Sequence, residues 1–133
     1  MIFILFFYLF LVWKLTQLVA ILGTGKGSWA HVSKLIRQGD FEEVILITNE
    51  FGKEKFTPDV DTSLIMVDFN QPTHVLLDTF LKELRPKLKG TEVALNMISG
   101  AGSEHMALLS ALLKLGMAIR LVVAGPVNQF DEL

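Results

Sequence analysis

Cysteine is absent from the 133 residues. That excludes disulfides, iron–sulfur clusters, thiolate zinc sites and cysteine nucleophiles, and it fits a reducing cytoplasm. An excess of one charge is also missing: 12 basic against 14 acidic residues leave a net charge of −2. Broad binding to long nucleic acid relies on many Lys and Arg contacts to phosphate, so this balance argues against it. Metal motifs are lacking. His31, His74 and His105 do not have helical zinc spacing, and no H-E-x-x-H occurs. No metal site is expected. A Gly-x-Ser-x-Gly elbow is missing too, which gives a Ser-His-acid hydrolase little support. The aromatics do not interleave with basic residues as single-strand binders require; Phe3, Phe6, Phe7 and Tyr8 cluster at the N-terminus.

What is present is apolar. Hydrophobic residues make up 51% of the chain and charged residues 20%, ample for a buried core and inconsistent with overall disorder. The length suits one domain. Met1–Trp13 (MIFILFFYLFLVW) carries no charge until Lys14. A membrane span needs about 20 apolar residues, and a signal peptide needs a basic start and a small-residue cleavage site. Three readings of residues 1–14 stand: an extra apolar strand or helix buried in a dimer contact, a short membrane anchor, or upstream codons included by a misplaced start. A cytoplasmic location is expected, with membrane association through residues 1–13 as the alternative.

From Leu15 to Leu133 short apolar runs alternate with helical patterns. Leu18–Leu22, Val44–Thr48, Ser63–Val67, Val93–Ile98 and Ile119–Ala124 are expected strands, and Val127–Leu133 is expected to fold back as a sixth. Ser28–Gln38, Thr73–Leu88 and Ser103–Leu115 have helical spacing, the last ended by Gly116. Asn49–Thr62 is polar, holds Gly52 and Pro58, and is expected to be a long loop. Lys82–Lys89 is expected to be a solvated helix end. Uninterrupted apolar strands separated by helices predict an α/β fold: a Rossmann-like three-layer sandwich, mainly parallel, with about five to six strands and a C-terminal hairpin.

Chemistry is expected in two strand-to-helix loops. The first is Gly23-Thr24-Gly25-Lys26-Gly27-Ser28. Glycines there let the backbone approach an anion, and the following helix offers free N–H groups. The loop is not a Walker A motif, because Gly27 stands where Ser or Thr is needed. Nor is it G-x-G-x-x-G, because Ser28 takes the third glycine position. The bland alternative is a tight turn with Ser28 as helix N-cap. The second loop runs Asn96-Met97-Ile98-Ser99-Gly100-Ala101-Gly102-Ser103-Glu104-His105-Met106. Ser99 and Ser103 bring hydroxyls, Gly100 and Gly102 free the backbone, and Ser103 could cap the helix, with Met106 then at N3. His105 in the first helical turn could touch a ligand, whereas His31 and His74 are expected on helix surfaces. If the first and fourth strands are neighbours, the two loops form one anion-friendly cleft.

This pattern resembles the CRISPR-associated Rossmann fold (CARF) family over about Leu15–Leu133. Family members begin with an apolar strand ending in a Gly-Thr loop, here Leu22-Gly23-Thr24-Gly25. Their strongest motif follows the fourth strand, Asn-x-Thr-Gly-Gly-Thr-Lys/Arg-x-Met. It is matched here by Asn96, Ser99 in place of the threonine, Gly100 and Met106. Ala101 replaces the second glycine, an extra residue separates Ser99 from Met106, and the basic residue is absent. The resemblance implies antiviral defence and binding of cyclic oligoadenylate across the two-fold axis of a homodimer, with no cofactor. The implied ligand-binding residues are Gly23, Thr24, Gly25, Lys26, Ser28, Asn96, Ser99, Gly100, Ala101, Gly102, Ser103 and His105. Some family members cleave the ring, often with a Ser or Thr and a Lys, which makes Ser99 and Lys26 the catalytic candidates in that case. Family members usually carry an effector domain. With no room for one, the resemblance implies a stand-alone sensor, a fragment, or a sensor joined to a membrane segment. A structural or membrane-associated module whose glycine loops only turn the chain is the remaining alternative.

Overall fold

The computed structural model describes residue 4 and residues 16–57 and 62–133. The expectations for residues 1–3 and 5–15, including the apolar N-terminal run, lie outside the described residues.

Among the described residues the strands are β1 (Gln17–Leu22), β2 (Val44–Thr48), β3 (Thr62–Met66), β4 (Glu92–Asn96), β5 (Ala118–Val123) and β6 (Asp131–Glu132). The helices are α1 (Lys26–Gln38), α2 (Glu50–Lys55), α3 (Thr73–Leu84) and α4 (Gly102–Lys114). The sheet order is β3-β2-β1-β4-β5-β6. All pairs are parallel except β5–β6. The fold is therefore α/β with a six-stranded, mostly parallel sheet.

Alternation along β1 explains its continuous apolar sequence. Leu18, Ala20 and Leu22 pack on one face with Trp29, Val32 and Leu35 of α1. Val19 and Ile21 pack on the other with Leu76, Phe80 and Leu84 of α3 and Leu108 of α4. A central strand covered on both faces takes apolar side chains from Leu18 to Leu22, while Gln17 at its start is buried with its amide paired to Lys87 O and Lys89 N–H. Complete burial of one such Leu or Ile stabilises the fold by about 1.5–3 kcal/mol.

Local competitors for the backbone move several expected boundaries. β4 stops at Asn96 rather than Ile98, because the Asn96 side-chain oxygen accepts the Ile98 N–H at 3.3 Å. α3 stops at Leu84 rather than Leu88, because Pro86 has no N–H and its ring opposes a continuing helix. The expected strand Val127–Leu133 narrows to Asp131–Glu132. Ahead of it, Gln38 of α1 takes the polar groups of the turn, accepting from Gly125 N–H and donating to Gly125 O, each at 2.9 Å. Arg120 holds the short strand in place through two hydrogen bonds to Glu132 at 2.7 and 2.8 Å. Those bonds pull the Glu132 carboxyl below its ordinary value.

The segment expected as one long loop begins with a helix. Asn49 caps α2, its Oδ1 accepting the Gly52 N–H at 2.9 Å. No described helix is long and apolar enough to cross a membrane.

Candidate functional site: the cleft between the first and fourth strands

After β3 the chain crosses the sheet and enters β4 on the far side of β1. This is a topological switch, where parallel sheets leave a crevice at the carboxyl ends of their strands. β1 and β4 pair in register Leu18↔Ala94 and Ala20↔Asn96. The loops that follow them are therefore neighbours.

Hydrogen bonds join them. Gly23 N–H donates to Ser99 Oγ at 2.8 Å, and Ser99 Oγ lies 2.7 Å from Ser28 Oγ. Ser28 Oγ is 2.8 Å from Gly25 O. A carbonyl only accepts, so the single Ser28 proton goes to Gly25 O and Ser99 donates to Ser28. The chain runs Gly23 N–H to Ser99 to Ser28 to Gly25 O. Trp29 braces the first loop by donating its indole N–H to Gly23 O. His105 braces the second, with Nε2 2.8 Å from Ser99 O, which requires the proton on Nε2. The backbones also touch: a Cβ added to Gly23 would stand 3.0 Å from Gly100 N.

Neither expected serine caps its helix. Gly25 caps α1, and Ser28 sits three residues on, its hydroxyl turned back to the Gly25 carbonyl. Ala101 caps α4, and Glu104, not Met106, occupies the third helical position. Glu104 accepts the Ala101 N–H. This is half of a capping box, since Ala101 has no side-chain acceptor. Ser103 is exposed.

The loops frame a cleft of about 430 Å³. Gly23, Thr24, Gly25 and Ser28 line one wall, and Gly100 and Ala101 line the other. Asn96, Ser99 and His105 stand behind the wall, and Ser99 is 1% exposed. Gly102 and Ser103 begin α4 and do not line the cleft. Lys26 begins α1, and its side chain lies outside the described atoms. Sequence reasoning missed Asn49, Asp68, Phe69, Asn70, Ile98 and Glu104, which complete the lining. Polar residues just past apolar parallel strands, such as Asn49 and Asp68, were the available signal. Among the described residues no group of three or more His, Asp or Glu could hold a metal ion.

His31 is tied into the sheet rather than standing on a free helix surface. Its Nε2 accepts from Ala124 N–H at 3.3 Å and lies 3.2 Å from the Asn96 amide nitrogen, which also donates to Val122 O at 2.8 Å. An accepting Nε2 requires a neutral ring with its proton on Nδ1. Burial, and then the Lys34 charge, push the His31 pKa below its ordinary 6.5. The unfolded chain therefore takes up this proton first as pH falls. The stabilisation is fully present above about pH 6.5 and is lost as pH falls through the lower folded value. Denaturant midpoints from about pH 8 to about pH 5 should drop less for His31→Gln, which keeps an acceptor, than for the wild type. Equal drops would remove His31 as the source.

No family model, no curated protein and no solved structure matches this chain.

Proposed function

We propose that this chain is a Rossmann-like nucleotide sensor of the CARF type, binding cyclic oligoadenylate at a homodimer interface. The observation that carries this reading is the joining of the two glycine loops by the Gly23–Ser99–Ser28 chain at the switch between β1 and β4. The helix that follows β1, α1, has 13 residues and begins at that same edge. Its first N–H groups lack intrahelical partners and its dipole favours an anion there, whereas at the start of α4 the Glu104 carboxylate already accepts the Ala101 N–H. Gly25 adds to this support. Its φ of −77° suits any residue, and a Cβ placed there would meet nothing within 4 Å. The protein's own packing does not call for glycine at this cleft-lining position, whereas close approach of a phosphate does.

A ring-shaped ligand on a two-fold axis would meet both copies of each loop. The reading also carries a cytoplasmic location. Binding without cleavage is favoured by Ser99, whose hydroxyl is buried and engaged on both sides.

Gly25→Asp tests the reading. Aspartate caps helices at least as well as glycine, so stability should hold. Its carboxylate would occupy the N–H groups at the start of α1 and repel phosphate. Affinity for cyclic tetra-adenylate should fall about 10-fold or more, with a smaller loss for Gly25→Asn. Undiminished affinity in Gly25→Asp would remove this loop from the site.

A further inference from the structure

Beside the cleft lies a second hollow of about 390 Å³. Asn49 and Asp68 line both, so the two form one continuous surface. The second hollow has a different floor. Phe51 of α2 is 38% exposed and Met66, the last residue of β3, is 53% exposed. The Phe51 ring lies 5.6 Å from Trp29, centroid to centroid. Trp29 is the residue whose indole N–H holds Gly23 O. One buried side chain thus fixes both the glycine loop and the ring at the far end of the cleft.

The polar groups differ along this surface. The α1 N-terminus and the first glycine loop mark one end, with Glu104 on the opposite wall held by the Ala101 N–H. Asp68 stands at the junction, and Glu50 lines the second hollow. Asp68 Oδ1 accepts the Asn70 N–H at 2.9 Å, which fixes the carboxylate at the edge of the sheet. A carboxylate repels phosphate and accepts from hydroxyl or amino groups. The combined surface therefore favours phosphate at the first glycine loop and α1 N-terminus, hydroxyls or amines in the middle and a flat apolar group at the far end. A nucleotide has these parts in this order.

The geometry points to Phe51 and Met66 as the base-stacking shelf of the cleft, with Asp68 as acceptor for a ribose hydroxyl or an exocyclic amine. This rests on the nucleotide reading of the cleft but does not require the ligand to be cyclic. Aromatic rings stack bases of any sequence, and thioethers make favourable contacts with aromatic rings.

The test compares two probes, adenosine 5′-monophosphate and ribose 5-phosphate, titrated into the full chain. The wild type should prefer the nucleotide by about 10-fold, the usual contribution of one stacked base. Phe51→Ala should bring that ratio near one, and Phe51→Tyr should restore it. Should Phe51→Ala fail to fold, Met66→Ala at its exposed site carries the test, with a smaller drop in the ratio. A wild-type ratio near one, no binding of the nucleotide, or a ratio untouched by folded variants would overturn the shelf. Preference for the nucleotide together with no binding of cyclic tetra-adenylate would keep the shelf and sink the cyclic-ligand reading.

Discussion

Gly100→Ala should cost about 3 kcal/mol of stability and remove ligand binding. Gly100 has a φ of +100°, outside the regions that residues with a Cβ occupy comfortably. Strain of this kind costs about 1–3 kcal/mol before any contact is counted. The contacts are severe. The added carbon would stand 2.7 Å from Ile21 Cγ2, 2.9 Å from Glu104 Oε2 and 3.1 Å from His105 Nε2. Ile21 is wholly buried in the central strand and has nowhere to go. Glu104 is held by Ala101 N–H, and His105 by the Ser99 carbonyl. Relief must come from the second loop itself, which would lift away from Gly23 and open the cleft wall. Urea midpoints give the stability change. Gly102→Ala is the matched control: it meets nothing within 4 Å, and its φ is ordinary. That change should be neutral or slightly stabilising, since alanine is the better helix former. Equal midpoints for Gly100→Ala and wild type would contradict the loop geometry.

Ser99→Ala should produce the next largest loss, about 1–3 kcal/mol, the cost of leaving a buried donor unsatisfied. The orphaned group is the Gly23 N–H, whose acceptor in the structure is Ser99 Oγ. The link to Ser28 breaks as well. Ser28→Ala should cost less, because Ser28 is part-exposed and Gly23 keeps its acceptor. Hydrogen exchange at the Gly23 amide separates the two variants. It should quicken in Ser99→Ala and stay slow in Ser28→Ala. Similar exchange in both would mean that Ser99 does not hold the first loop.

The strands were legible because a two-face buried strand is apolar throughout; Val44–Thr48 is bounded as its sequence suggests. Their ends were less so. Asn96, Pro86 and Gln38 decide where backbone pairing stops, and two of these act through specific partners. Both glycine loops stand out in the sequence as strand-to-helix turns. Their union depended on β1 lying beside β4, which no local pattern specifies. Distance in the chain hid the rest. Ser99 and Ser28 look alike as loop serines, yet one is buried as a strut and the other reaches the cleft because of a pairing 71 residues apart. His31 gains its role from Asn96, 65 residues away. Phe51 lay inside a segment whose polarity and glycine suggested a loop. Asn49 followed by Glu50 was the readable helix signal there.

The paired loops are proposed to hold a cyclic oligoadenylate between two copies of this chain. Calorimetric titration of the purified protein with cyclic tetra- and hexa-adenylate, followed by chromatography of the recovered ligand, tests this most directly. Saturation at one ring per two chains, with the ring recovered intact, is the expected result. Linear products would turn the sensor into a ring nuclease. No heat and no retained ligand from either ring would contradict the claim and leave the cleft without its proposed occupant.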